Sequence, residues 1–428
     1  MRRFKTGTPA RIHRRSIDFS KTERQEGDEA LPLSFLNEKA NNSRVCHLTY
    51  TTPQTKELIL RHKDKAPVYN GSINGVGPRY CPSIEDKVIR FADKERHQIF
   101  LEPEGEDTEE IYLAGLSSSM PVNVQREIVR TVKGLENAEI MRDAYAIEYD
   151  CIDPTELNAS LMSKRHTGLF FAGQICGTSG YEEAAGQGLV AGINAARLVR
   201  GKPPFVLSRN SSYIGVLIDD ITAKGVDEPY RMMTGRAEHR LLLRQDNADQ
   251  RLTRRGYEIG LVPKERLRAV EEKYAAVARE IKRLEHTGLP ASDALNALLR
   301  ERGTAEITDG SPLIALLRRP QLRYDDLRAF DAGCAACPQD IAEQVEITVK
   351  YEGYIRRQEK QVEEFEKLER RRLPPDMDYR HIQGLRLEAR EKLTRIRPKN
   401  LGQAGRIPGV SPSDVAQLSI ALTVREKT

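Results

Sequence analysis

The stretch LFFAGQICGTSGYEEAAGQGLVAGINAA, Leu169 to Ala196, reads as strand, loop and helix. Leu169 to Ala172 is a short apolar run ending at Gly173, the pattern of a buried strand. The loop that follows is rich in glycine, and a helix starts near Tyr181. Ala184, Ala185, Gly188, Gly192 and Ala195 set small side chains along that helix. They suit close packing beneath a planar ligand or against a sheet, and pattern alone leaves both readings open.

On the amino-terminal side, residues 1–145 mix turns with short strand-like runs such as Gln98 to Leu101 and Ile111 to Leu113. After the Pro/Gly break at Gly201 to Pro204, helical periodicity takes over. Tyr274, Val277, Ala278, Ile281 and Leu284 lie on one stripe, with Gly288 and Pro290 as the stop. Tyr351, Ile355, Gln358, Val362 and Phe365 form another, closed by Pro374 and Pro375. A last helix begins at Ser411 with Pro412 at its first position and buries Val415, Leu418 and Leu422.

At 428 residues the chain is long enough for two or three domains. No apolar run approaches the roughly 20 residues that span a bilayer, and the amino end has no apolar core of a secretory signal. Six cysteines at irregular spacing form no disulfide framework. These features fit a soluble, cytoplasmic protein with no membrane partner. Cys334 and Cys337 make a CxxC, but no second Cys or His pair follows at zinc-site spacing and the pair lies outside the other motifs, so neither metal nor redox use is expected. The net charge of +5 is unevenly spread. From Lys350 to Thr428 there are 18 Lys plus Arg and 12 Asp plus Glu, a local excess of +6, which leaves the rest nearly neutral.

GPRYCPSIEDKVIRF, Gly77 to Phe91, carries the chemistry. Cys81 sits between Tyr80 and Pro82, with Arg79 before it and Lys87 after. A thiol is a nucleophile as thiolate, and nearby cations favour that form. Pro82 keeps Cys81 in extended or turn geometry. Ser83, followed by Glu85 and Asp86, caps a short helix. A buried packing role is the alternative for a lone cysteine.

This string resembles the corresponding motif of the bacterial tRNA uridine-5-carboxymethylaminomethyl modification enzymes, the MnmG/GidA family. RRFKTGTPARI (Arg2 to Ile12), IFLEPEG (Ile99 to Gly105) and FFAGQICGTSGYEEAAGQGLVAGINAA (Phe170 to Ala196) are similar to the same family. So are EPYRMMTGRAEHRLLLRQDNAD (Glu228 to Asp249) and REKLTRIRPKNLGQAGRIPGVSPSDV (Arg390 to Val415). The matching blocks keep their order across nearly the whole chain. One element of the family pattern is not found, the GxGxxG loop whose amides hold the ADP part of FAD. A second family cysteine is not found either. The resemblance therefore implies a carboxy-terminal portion, expected to hold FAD weakly by itself.

The resemblance implies an α/β flavoprotein portion, a partial FAD-binding fold with an inserted NAD-binding-like domain, followed by a mostly helical carboxy-terminal domain. Residues 1–145 would be the inserted region and 146–204 the returning FAD-binding part. Residues 205–380 would be the helical, tRNA-contacting domain, and 381–428 a docking subdomain for the partner. Gln174, with Gly173 beside it, is marked for FAD. The NADH site is marked at Gly77, Pro78, Arg79, Tyr80, Cys81, Pro82, Ser83, Ile84, Glu85, Asp86, Lys87, Val88, Ile89, Arg90 and Phe91. The family acts as a homodimer with an MnmE-type GTPase and uses methylenetetrahydrofolate as one-carbon donor. Carbon 5 of uracil is a poor nucleophile until something adds at carbon 6. A thiolate such as Cys81 answers that need by covalent addition, or else handles the one-carbon unit.

PYRMMTGRAEHRLLLR places Arg231, Arg236, Arg240 and Arg244 in one short span. On a helix, Arg236, Arg240 and Arg244 would form a positive ridge suited to phosphate. Internal ion pairs through Glu238 and Asp246 are the competing reading. The resemblance favours tRNA contact, with Tyr230 and His239 adding stacking. Two other functions are weighed, a folate- and FAD-dependent tRNA uracil-5-methyltransferase and a non-catalytic tRNA- or partner-binding module. The helical tail with GQAGRIPGV argues against the methyltransferase.

Overall fold

The structure, a computed structural model, describes residues 1–27, 34–37, 44–80 and 82–427. The chain forms two compact units, one of Met1–Phe205 with Gly225–Met232, the other of Val206–Lys224 with Met233–Thr428.

In the first unit, β1 (Arg2–Thr8) pairs antiparallel with β8 (Tyr145–Cys151), from Arg2 opposite Cys151 to Thr8 opposite Tyr145. The chain leaves along β1 and returns along β8, so the intervening residues form a looped-out body. That body holds β2 (Arg11–His13), β3 (Glu23–Gln25), β4 (Cys46–Tyr50), β5 (Gln98–Pro103), β6 (Glu110–Ala114) and β7 (Ile140–Arg142). They make one sheet in the order β3-β4-β5-β6-β2-β7, with every neighbouring pair antiparallel. The two strands expected from sequence are β5 and β6. Ile99, Leu101, Ile111 and Leu113 alternate inward from them, as a half-buried sheet requires. Helices α1 (Pro53–Arg61), α2 (Ile84–Arg90) and α3 (Val122–Arg130) add Ile59, Ile84, Val88 and Ile128 to the same core.

Leu169 to Ala172 does not form the expected strand. Phe170 makes an isolated bridge to Met162, and Leu169 is exposed. Ser163 donates to the Leu169 carbonyl and Phe171 to the Leu161 carbonyl on either side of this bridge, and the partner segment turns at Leu161, whose φ is +65°. Helix α4 (Tyr181–Val199) does start at Tyr181, but with a different face inward. Glu183, Gln187, Val190 and Asn194 are buried, while Ala185, Gly188 and Gly192 are exposed. The reason is polar. Asn194 donates to the carbonyls of Ser160 and Phe205 and accepts from the Phe205 amide at 2.7 Å, which holds that face against the chain.

The second unit is helical, with α5 (Tyr213–Lys224), α6 (Ala248–Glu258), α7 (Lys264–His286), α8 (Asp293–Glu301) and the long helix Gln339–Arg370. The first apolar stripe holds except at Ala278, which is exposed. Val277 and Leu284 are buried, with Ile281 packed on them. Along the long helix Ile355, Gln358, Val362 and Phe365 are half-buried, while Tyr351 is exposed. A further apolar cluster joins Leu373 and Tyr379 to Leu393, Leu401 and Leu418. The last helix, Pro412–Lys427, buries Leu418 and Leu422 and half-buries Val415. Among the described residues no helix is long and apolar enough to cross a membrane.

Candidate functional site

Helix α2 builds the site from its own sequence. Ser83 caps it, its hydroxyl accepting from the Asp86 amide at 3.3 Å. Ile84 and Val88 anchor it in the core, and this rotation turns Glu85 and Asp86 inward at 1% and 7% exposure. Buried carboxylates need donors. The Tyr69 hydroxyl donates to Asp86 Oδ1 at 2.9 Å, and Lys5 Nζ lies 3.5 Å from Oδ2. Burial first, and then the bond to Asp86, push the Tyr69 phenol well above its ordinary range. Glu85 Oε1 accepts from Ser118 Oγ at 2.5 Å and from the Ser119 amide at 3.1 Å. Glu85 Oε2 and Ser119 Oγ are enclosed without a partner. Lys87 donates to the Gly115 carbonyl at 2.8 Å.

The loop before α2 is stitched to β1. Lys5 donates its amide to the Val76 carbonyl at 2.9 Å, and Val76 donates to the Arg3 carbonyl. A Cβ on Gly75 would stand 2.7 Å from the Phe4 backbone, so this approach requires glycine. Glu148 accepts from the amides of Asn74 and Gly75 at 2.9 and 2.7 Å. Two motifs far apart in sequence thereby face one cleft, lined by Lys5, Gly77, Ser83, Asp86, Arg90 and Ser118 among others. Cys81 lies outside the described residues. Of the residues flanking it, Arg79 and Tyr80 are exposed and Pro82 is half-buried.

Gly173 occupies the left-handed region at φ +84° and opens a tight turn. Its amide donates to Gln187 Oε1 at 2.9 Å, Gln187 donates to Thr178 Oγ1, and Thr178 donates back to the Gly173 carbonyl. This ring of bonds fixes the turn and leaves Gln174 exposed. A Cβ on Gly173 would lie 3.5 Å from that of Ala184, so the turn packs against the first turn of α4. Cβ atoms built on Gly188 and Gly192 meet nothing within 4 Å, which makes that side a bare shelf.

The arginine-rich span is not a helix, so the ridge does not form. A 3-10 turn covers Thr234–Arg236, and the chain from Ala237 to Asn247 runs as turns and bends. Its backbone groups are engaged from outside. Gln358 accepts from the amides of Leu241 and Leu242 at 2.9 and 3.1 Å, and Arg209 donates to the Arg236 carbonyl. The charged groups pair as well. Arg244 meets Asp246 at 3.0 Å, and Arg231 meets Glu182 and Glu183, both at 3.3 Å. Glu238 pairs with Arg209 at 2.6 Å. Arg236 is half-buried and Arg240 exposed. Tyr230 and His239 are buried at 4% and 6% exposure, so neither presents a stacking face. His239 lies edge-on to Phe365, with ring centroids 5.8 Å apart.

Sequence reasoning passed over Tyr69 and the Ser117–Ser119 run, which meet α2 only through the fold. Lys5 lay in view inside RRFKTGTPARI, but no local pattern tied it to Asp86. Cys334 is buried and Cys337 half-buried, both as free thiols, and the described residues hold no group of metal-ligating side chains.

Three family models match the chain. Residues 1–203 match glucose inhibited division protein A. Residues 264–359 match the tRNA modifying enzyme MnmG/GidA C-terminal helical domain, and residues 361–428 its C-terminal helical bundle. The tRNA uridine 5-carboxymethylaminomethyl modification enzyme MnmG of Caldicellulosiruptor saccharolyticus is 55% identical over 429 residues, covering 100% of this chain and 68% of that protein. The one from Clostridium novyi is 54% identical over 422 residues, 98% of this chain and 67% of that protein. The solved structure of Aquifex aeolicus GidA in its form II crystal superposes with a TM-score of 0.84 at 45% identity, covering 98% of this chain and 67% of that one.

Proposed function

The chain belongs to the MnmG/GidA family of tRNA modification enzymes, and from that premise we propose that it carries the cofactor cleft and tRNA-facing parts of a wobble-uridine-modifying flavoenzyme. The substrate is tRNA in the cytoplasm. FAD, NADH and methylenetetrahydrofolate take part, and a homodimer works with an MnmE-type GTPase docked on residues 381–428.

The observation that carries this reading is the meeting of Gly77–Phe91 with Lys5 in one cleft. The residues present fit an anionic, hydrogen-bonding cofactor. Lys5 and Arg90 supply positive charge, Ser83 and Ser118 hydroxyls, and Gly77 leaves the wall bare beside the Lys5 stem. Gln174 and Gly173 would hold the flavin, and the small residues of α4 would leave room for it. When bound, flavin and nicotinamide supply the hydride chemistry. The chain positions and activates. Asp86, held by Tyr69 and Lys5, fixes the Lys5 ammonium toward the cleft. The Cys81 thiolate adds to carbon 6 of the uracil, forming a C–S bond while the double-bond electrons move toward the O4 enolate, which makes carbon 5 nucleophilic. Arg231, Arg236, Arg240 and Arg244 serve tRNA, with the exposed Arg240 as the leading phosphate contact.

The test pairs two variants. Arg90→Gln should weaken NADH binding by roughly three- to tenfold in a fluorescence titration, the scale of one charge-assisted contact. Cys81→Ser in the enzyme completed to the length of its relatives should abolish modification. Unaltered NADH affinity in the first variant refutes the cleft, and normal turnover by the second refutes the nucleophile.

A further inference from the structure

The CxxC pair takes no part in the function above, yet it is built as a unit. Cys334 lies in the short helix Ala332–Ala336, and Cys337 is its carboxy-terminal cap. The Cys337 amide donates to the Cys334 carbonyl at 3.2 Å. A bond from residue i+3 to residue i closes a turn whose end Cα atoms lie within about 7 Å, and disulfides typically span about 4.4–6.8 Å between Cα atoms.

The turn is held from both sides. Arg328 Nη1 donates to the carbonyls of Cys334 and Cys337 at 2.9 and 2.8 Å, and Asp331 caps the helix through the Cys334 amide at 2.7 Å. The two thiols differ in access. Cys334 is fully buried, and Arg283 Nη2 donates to its sulfur at 3.2 Å. Cys337 lines an open cleft of about 260 Å³ together with Arg279, Glu280 and Arg283. Arg283 is itself braced by Glu280 and Asp331, both at 2.8 Å. Cys337 lines this open cleft while Cys334 is enclosed, so a small neutral oxidant reaches Cys337 first. Burial pushes the Cys334 thiol up to about 11, which suits the second sulfur to engage and not the first.

We propose that Cys334 and Cys337 are a peroxide-oxidisable dithiol that closes to a reversible disulfide. In the first step Cys337 sulfur attacks one peroxide oxygen, the O–O bond breaks, and a sulfenic acid and water result. In the second, Cys334 sulfur attacks Cys337 sulfur, the S–S bond forms, the S–O bond breaks, and water leaves with the Cys334 proton. Two thiols lose two electrons and two protons, and one peroxide becomes two waters. Closure withdraws the Cys334 thiol from Arg283.

The experiment treats the whole chain with hydrogen peroxide, alkylates the remaining thiols and maps peptides by mass. Half-buried Cys46 serves as the internal reference. The expected result is loss of two hydrogens in the peptide holding Cys334 and Cys337, faster than any oxidation at Cys46 and reversed by dithiothreitol. Cys334→Ala should divert Cys337 to sulfinic and sulfonic acid, and Cys337→Ala should leave Cys334 reduced. Oxidation of the pair no faster than that of Cys46 overturns the proposal. So does passage of native Cys337 to sulfinic acid without a bridge.

Discussion

Two segments of this chain read as functional, and they met different fates. The segment from Gly77 to Phe91 formed the short capped helix that its residues announce, and it lines a cleft. The segment from Tyr230 to Arg244 announced a ridge of arginines four residues apart and formed none. In the first, every signal is local. Ser83 caps, Glu85 and Asp86 follow in the first turn, and Ile84 and Val88 point to one core. In the second, spacing was the sole helical signal, and stronger partners outside the segment claimed its backbone. A period of four places side chains on one face only after the helix exists.

The sharpest way to test this contrast is to remove the outside partner. Arg209 is 3% exposed at its side chain and meets Asp220 at 2.7 Å, Asp219 at 3.2 Å and Glu238 at 2.6 Å. Arg209→Met removes the buried cation, leaving Asp220 to Lys224 and Asp219 to Arg406, and breaking a buried pair costs about 3–5 kcal/mol. Urea unfolding of the second unit should show that loss while the first unit melts unchanged. A loss below about 1 kcal/mol, the scale of a surface pair, would mean that the segment holds its shape without Arg209.

A smaller effect is expected from His239. Burial pushes its imidazole below the ordinary value; Arg209 adds to the shift and Glu238 opposes it. Both ring nitrogens are enclosed without a partner. The unfolded chain therefore takes up the proton first, near pH 6.5. Stability of the second unit should be full above that value and fall as pH drops below it. His239→Phe should flatten this slope, and a slope that survives the substitution assigns it to other groups.

The smallest effect tests the locally built helix. Ser83→Ala removes one cap, worth about 1 kcal/mol, and the loss should appear in the melting of the first unit alone. No change would mean that α2 is held by Ile84 and Val88 without help from its cap.

Much of the fold was legible. Strands at β5 and β6, helices from Tyr181 and Pro412, the stripe through Val277 and Leu284, and the cap at Ser83 all rest on neighbours in sequence or on one period. The candidate site was legible in part. Gly77 to Phe91 stood out, and so did Gly173 and Gln174, but Tyr69 and the Ser117–Ser119 run did not. Their role depends on hydrogen bonds to Asp86 and Glu85 across 17 and 33 residues. No spacing rule reaches that far.

The sequence by itself determined family membership, the capped helix α2 and the helical character of the second half, because caps, turns and apolar periods act within a few residues. Tertiary structure decided three other things. Leu169 to Ala172 meets its neighbour at the single Phe170–Met162 bridge instead of forming a strand. The small residues of α4 face outward because Gln187 and Asn194 bind backbone on the other side. Arg231 and Arg244 pair with separate carboxylates, while Arg209 and Gln358 hold the backbone between them in turns. In the last two cases a buried polar group had to find its partner, and the fold that satisfied it overrode the local pattern.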